Sequence, residues 1–303
     1  MTHRLIAVAG VAVALLAGGC ATNGSTDGTA GGGETIAVNE AIRQSLPASV
    51  RDRGALRFAT DPSYAPMESY AADGRTIIGF DADLAAALGS VMGIQIEMVR
   101  ADFSAALDDT RSGEFDGVMS AMTDTVEREK KADFINYFSA GTSIVVRRGN
   151  PSGVTELKDL CGQVVAVENS TVQEDLLKRS QRGCGKKPIV IRSFKTNADA
   201  LLQVRTGRAV AILNDFPPAA ELTTEPATRA HYQLASTVQY EPGLYGIAVA
   251  KNNVQLRDAL HKALDELMRT GVYKELLLRW GLTTGALEAS SINGAGVSPD
   301  AGQ

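Results

Sequence analysis

Arg128 is the side chain in this sequence best placed to grip an anion. It follows the apolar segment Gly117-Val118-Met119 by a short loop, Ser120-Ala121-Met122-Thr123, and stands at the start of a helical stretch. A guanidinium there can hold a carboxylate through two parallel hydrogen bonds. Its neighbours Glu127, Glu129, Lys130 and Lys131 are equally compatible with a solvated charged face. Asn169-Ser170-Thr171 joins an apolar run, residues 164–167, to a second helical stretch. Its amides and hydroxyls sit where a helix N-terminus favours anions, or where they simply cap the helix. Asp215 ends a third apolar run, and an acid buried there needs a cationic partner. An acid just before Pro217 and Pro218 also makes an ordinary helix cap.

Other chemistries lack material. The chain carries three His and three Cys with no ligand-like clustering, which argues against a metal centre. It has no Gly-x-Ser-x-Gly turn, phosphate loop or paired-carboxylate motif, and His231 and His261 stand in no motif that would activate a nucleophile. A net charge of −5 with no basic tract argues against nucleic acid as the main partner.

The amino end sets the compartment. His3 and Arg4 precede an uncharged apolar run over residues 5–17, followed by Gly18-Gly19-Cys20. Such a run is shorter than the roughly 20 residues that span a bilayer, so residues 1–19 read as a signal peptide. Leu16-Ala17-Gly18-Gly19-Cys20 resembles the lipobox of bacterial lipoproteins, with Ala17 where that motif usually has Leu, and makes Cys20 the expected lipidation site. Residues 20–34, rich in Gly, Ser and Thr, then read as a flexible tether.

The elements that must position the candidate residues alternate strand with helix. Residues 56–59, 94–98 and 117–119 have strand character, separated by helical spacing over 81–92 and 103–111. A second series repeats the plan: strands at 164–167, 189–191 and 209–213, with helices at 172–182 and 197–206. Ala106-Leu107, Arg111-Ser112-Gly113 and Gly117-Val118 recur 94 residues on as Ala200-Leu201, Arg205-Thr206-Gly207 and Ala211-Ile212. Two similar α/β lobes with parallel strands would turn their strand carboxyl ends to a shared cleft. A strand at 246–250 and helices at 254–269 and 272–280 follow, and residues 287–303 read as a frayed, disordered tail. Cys161 precedes the strand at 164–167 and Cys184 follows the next helix, so both belong at the end of that strand away from the cleft. An oxidising compartment favours their disulfide.

Thr60-Asp61-Pro62-Ser63-Tyr64-Ala65-Pro66, Gly79-Phe80-Asp81-Ala82-Asp83-Leu84, Ser120-Ala121-Met122-Thr123 with Glu127-Arg128, Tyr245-Gly246-Ile247-Ala248-Val249 and Trp280-Gly281 together resemble bacterial solute-binding protein family 3. These are receptors of polar amino-acid ABC importers. The resemblance implies a type II periplasmic-binding-protein-like Venus flytrap of two similar lobes joined by a two-strand hinge. Lobe one would take residues 50–141 plus 243–282, and lobe two residues 142–242. It implies a ligand carboxylate on Arg128, with Ser120, Thr123, Ser170 and Thr171 adding hydroxyls and backbone groups, and a ligand ammonium on Asp215. Tyr64 and Phe103 would sandwich the aliphatic part, and Asp61 would meet a polar or cationic tip. Ser170 stands where the family usually has glycine. The implied partners are a small amino-acid ligand, an ABC permease with its ATPase, and the membrane through the lipid on Cys20; no cofactor or metal is implied, and the protein would act as a monomer. Two alternatives use the same scaffold: a ligand-sensing lipoprotein, and a cyclohexadienyl-dehydratase-like enzyme.

Overall fold

The computed structural model describes residues 36–295. The signal peptide, the lipidation site Cys20 and the tether expected over residues 1–34 lie outside them, as do residues 296–303.

Two short helices open the fold, α1 (Glu40–Ser45), capped by the Asn39 side chain, and α2 (Ala48–Arg53). Residues 46–53, which carry no motif, thus have a structural use: Leu46 and Val50 turn inward onto the main core beside Ile42 of α1. The first lobe continues with β1 (Ala55–Thr60), the small antiparallel strands β2 (Ser63–Tyr64), β3 (Glu68–Tyr70) and β4 (Ile77–Ile78), then α3 (Phe80–Met92) and β5 (Gln95–Arg100). It proceeds through α4 (Ala106–Ser112), β6 (Gly117–Val118) and α5 (Val126–Glu129) to the long strand β7 (Ala132–Arg147), which crosses to the second lobe. There follow β8 (Val164–Glu168), α6 (Val172–Ser180), β9 (Val190–Phe194), α7 (Asn197–Arg205), β10 (Ala211–Asp215), α8 (Phe216–Thr224) and β11 (Tyr232–Leu234). The chain returns along β12 (Tyr240–Ala250) and ends with α9 (Val254–Thr270), α10 (Val272–Trp280) and β13 (Ser291–Ile292).

Strand order in the main sheet is β5-β1-β6-β12-β7-β10-β8-β9. The halves mirror one another. The parallel trio β5-β1-β6 is flanked by antiparallel β12, and the parallel trio β9-β8-β10 by antiparallel β7. The 94-residue repeat lands on this symmetry: α4 and β6 correspond to α7 and β10, and Gly113 and Gly207 end or follow their helices at φ +87° and +74°. Each trio carries apolar clusters on both faces, as parallel strands covered by helices require. β7 and β12 pair with each other from Ala132 to Thr142, and β7 changes partner to β10 from Thr142 onward. Those two strands are the hinge.

The carboxyl-terminal expectation needs correcting. Residues 287–295 are not a frayed tail: Ser291 and Ile292 pair with Asn136 and Ile135 on the free edge of β7, and the Leu287 amide donates to the Tyr273 hydroxyl at 3.0 Å. A small, polar stretch carries no periodicity to reveal this. Its order comes from unpaired backbone groups on β7 that need partners.

Candidate functional site

A cleft opens where the carboxyl ends of β1, β6, β8 and β10 meet, the place where open α/β sheets bind ligands. Its walls include eight of the nine expected ligand residues: Asp61, Tyr64, Phe103, Ser120, Thr123, Arg128, Thr171 and Asp215.

Arg128 is delivered by α5, whose cap Thr125 accepts the Arg128 amide at 3.1 Å. The guanidinium donates through Nη1 to the Thr123 carbonyl at 2.6 Å and through Nη2 to the Ser170 carbonyl at 2.9 Å, and lies 5.4 Å above the Phe103 ring. Two of its five N–H groups are thereby used to hold it against both lobes. Burial lowers its pKa to about 10, opposed by the charges of Asp175, Asp215 and Asp124. The site abuts the hinge: a Cβ on Gly243 of β12 would lie 2.7 Å from Thr123 Cγ2.

Thr171 caps α6, its hydroxyl accepting from the Glu174 amide at 3.2 Å and donating to the Glu168 carbonyl at 2.8 Å. Ser170 does not line this cleft; it lines the adjoining recess that shares Phe103, Arg128 and Val172 with it. Its amide donates to Glu174 Oε2 at 3.0 Å, and its carbonyl accepts from Arg128. It keeps the backbone of the glycine it replaces, at φ +62°.

Asp215 precedes α8 yet makes no capping bond with its side chain. Its carboxylate accepts from Gln173 Nε2 at 2.7 Å and from the Tyr64 hydroxyl at 3.2 Å, while its amide donates to that same hydroxyl at 2.8 Å. Tyr64 thus ties the first lobe to the second. Burial raises Asp215 to about 6, against hydrogen bonds and the nearby Arg128 charge.

Acids line the opposite side. Ser120 does not present a free hydroxyl: it accepts from the Asp61 amide at 3.0 Å and donates to Glu68 Oε1 at 2.9 Å. Beneath lies Asp81, held by the Tyr137 hydroxyl at 2.8 Å and the Ala121 amide at 2.9 Å, and raised to about 6 by burial. Burial, then the Asp81 charge, holds Glu68 well above the usual carboxylate range. Across the cleft, Glu168 at the end of β8 is pushed to about 9 by burial and by Asp61, and burial also raises Asp61.

Glu168, Gln173, Asn197 and Asn214 also line the cleft and were not singled out from sequence. The first and last end strands next to residues that were chosen, so the strand-end rule would have found both. Gln173 and Asn197 depend on how α6 and α7 are turned. Asp61 Oδ2, Ser63 Oγ, Glu68 Oε2, Glu168 Oε1, Asn197 Oδ1 and Asn214 Nδ2 are buried on this wall without a partner among the described residues. Such a set is costly unless something supplies matching donors and acceptors: Ser63 and the proton kept by Glu168 serve Asp61 in the empty cleft, and a ligand would serve the rest.

Far from the cleft, Cys161 and Cys184 form a disulfide with Cα atoms 5.3 Å apart.

Known proteins resemble this one closely. Residues 56–283 match the family described as bacterial extracellular solute-binding proteins, family 3. The chain is 30% identical over 290 residues to the arginine-binding protein ArgT of Corynebacterium glutamicum, covering 93% of each. Among solved structures it superposes on an ancestral arginine-binding protein bound to arginine with TM-score 0.69 and 31% identity, covering 75% of this chain and 98% of that one. An ancestral amino acid-binding protein, described as a precursor of cyclohexadienyl dehydratase, matches with TM-score 0.68 and 33% identity over 77% of this chain and 97% of that one.

Proposed function

The chain belongs to the bacterial extracellular solute-binding proteins, family 3, and from that premise we propose that it captures a cationic amino acid, arginine or a close relative, and presents it to the permease of an ABC importer. The observation that carries the choice of ligand is the set of unpartnered buried atoms. Three of them are carboxylate oxygens, of Asp61, Glu68 and Glu168, and they share the cleft with a single guanidinium. A ligand that satisfies this wall brings one carboxylate for Arg128 and several N–H donors for the acids. An α-amino acid with a guanidinium or ammonium tip has that inventory. Relatives that bind arginine support it.

Capture works through closure. The lobes, at residues 50–141 plus 243–282 and residues 142–242, with α1 and α2 packed on the first, swing about β7 and β12. Arg128, Asp61 and Tyr64 come from one lobe and Thr171, Glu168 and Asp215 from the other. A ligand touching both stabilises the closed form over the open one, and this differential affinity drives the change. The proposed setting is outside the cytoplasm, with the lipid on Cys20 anchoring a monomer near its permease.

The test is the melting temperature of residues 35–303, stripped of ligand, against the twenty amino acids, opines and sugars. A ligand at 100 times its dissociation constant stabilises by about 2.7 kcal/mol. A shift with arginine or lysine that Arg128→Ala abolishes, in a folded variant, supports the reading. No shift with any amino acid overturns it.

One observation favours a second reading, an enzyme that eliminates water and carbon dioxide together from a cyclic acid, the general acid protonating the departing hydroxyl as the carboxylate leaves as carbon dioxide. Glu168 stays protonated near neutral pH and faces the cleft, as a general acid must. Turnover of prephenate or arogenate, lost in Glu168→Gln, would establish it.

A further inference from the structure

Residues 291–295 close a junction behind Arg128 where three parts of the fold meet. Ser291 and Ile292 extend the edge of β7, and Asn293 grips it: its amide donates to the Phe134 carbonyl at 2.9 Å, its Oδ1 accepts from the Phe134 amide at 2.8 Å, and its Nδ2 donates to Asp133 Oδ1 at 3.1 Å. The Gly294 amide donates to Asp124 Oδ2 at 2.8 Å and to Asn136 Oδ1 at 3.1 Å. The Ala295 amide donates to Glu129 Oε1 at 3.1 Å. Asp124 is buried, with its amide on the Leu244 carbonyl at 2.7 Å and its Oδ2 also accepting from Asn136 Nδ2 at 2.9 Å.

The segment that carries Arg128 therefore hangs from this strap at both ends, by Asp124 ahead of α5 and by Glu129 in its last turn. A four-residue helix does not hold itself in water, and a flexible guanidinium grips well only if its base is fixed. Asn136 and Leu244 belong to the two hinge strands, so the same junction ties the base of Arg128 to the hinge. The fit at Gly294 is tight: a Cβ there would lie 2.7 Å from Asn136 Oδ1 and 2.8 Å from Leu244 Cδ1.

We propose that Asp124 and the strap of residues 291–295 are positioning elements of the ligand site, holding Arg128 at the height and angle that a ligand carboxylate needs without touching the ligand themselves. This rests on the reading of Arg128 as the carboxylate grip.

The test is calorimetric titration with L-arginine of the full chain, of a chain ending at Ala289, and of Asp124→Ala and Asp124→Asn. Truncation and Asp124→Ala are expected to weaken binding roughly tenfold, and Asp124→Asn, which keeps an oxygen acceptor for Gly294, by less than about threefold. In an Arg128→Lys background truncation is expected to cost nothing further, because the group it positions is gone. An equal loss in both backgrounds overturns the proposal, since a strap that only stabilises its lobe acts regardless of residue 128; unchanged affinity in a folded truncated chain overturns it too. If truncation prevents folding, Asp124→Ala takes its place in both backgrounds. If the unaltered chain binds no amino acid, the functional reading fails and amide exchange decides the strap. Faster exchange at Arg128 and Glu129 in the truncated chain, with α9 unchanged, supports it, and unchanged exchange at those two overturns it.

Discussion

Beneath the cleft, the lobe that carries Arg128 has a wide and aromatic core: Phe80 packs on Tyr137, Phe138 and Tyr273 with ring centroids 6.2, 5.9 and 6.4 Å away, inside a cluster that reaches from Ile42 to Leu282. The lobe that carries Asp215 has the same strand plan over aliphatic residues such as Ile144, Val165, Leu177 and Leu213, and Cys184 of the disulfide packs against them. The first lobe also gains α9, α10 and the strap. One plan is thus held in two ways, by buried area in one lobe and by a covalent staple on a smaller core in the other.

The largest effect expected from this contrast is in the first lobe. Phe80→Ala should destabilise by about 3–5 kcal/mol, because it empties the centre of the aromatic cluster. Urea unfolding would show it, and a loss below about 1 kcal/mol would mean that the cluster is not what holds this lobe. Next, Cys161→Ser with Cys184→Ser should cost about 3 kcal/mol in the chain-entropy account of a loop of this size. Proteolysis should then cut the second lobe before the first; the opposite order would break the comparison.

Acid should separate the stability of the empty protein from its affinity. Glu168 and Asp215 have folded-state values of about 9 and about 6, raised above their ordinary 4.5 and 3.8 by burial. What they contribute to the ligand-free fold is fully present below their unfolded values and is lost as pH rises through about 6 for Asp215 and about 9 for Glu168. A cationic ligand needs the ionised forms, so its affinity should fall as pH drops through about 6, the Asp215 value. Proton release on binding, read as a dependence of the binding enthalpy on the buffer, checks the linkage at Glu168; its absence at neutral pH would mean that Glu168 stays protonated beside the ligand.

The smallest effect concerns the loop between β8 and α6 in the second lobe. Ser170 stands at φ +62° with no glycine to relieve it, so Ser170→Gly should stabilise by about 0.5–1 kcal/mol while leaving the carbonyl on Arg128 in place. A drop in stability would show that the Ser170 side chain contributes more than its backbone strain costs.

Residues within regular elements were the most legible. Short apolar runs marked both strand trios, and the 94-residue repeat found the pair of helices and strands that correspond between lobes. Arg128, Thr171 and Asp215 stand near the ends of periodic elements, but that position left a solvated charge or a plain helix cap open for each, and it was the family resemblance that singled them out for a ligand. Ser120 was correctly placed on the cleft but not recognised as an internal bridge, since sequence does not say whether a hydroxyl is already engaged. The strap was misread because its order depends on an edge of β7 more than 150 residues away.

The sequence alone determined the family and the two-lobed α/β plan, because hydrophobic period and motif spacing are local properties of the chain. Only the tertiary structure decided which oxygens remain unpartnered, that Asp61 and Glu168 meet from opposite lobes, and that residues 291–295 stand behind Arg128. Burial and hydrogen-bond pairing are properties of groups brought together from distant parts of the chain, and no local pattern records them.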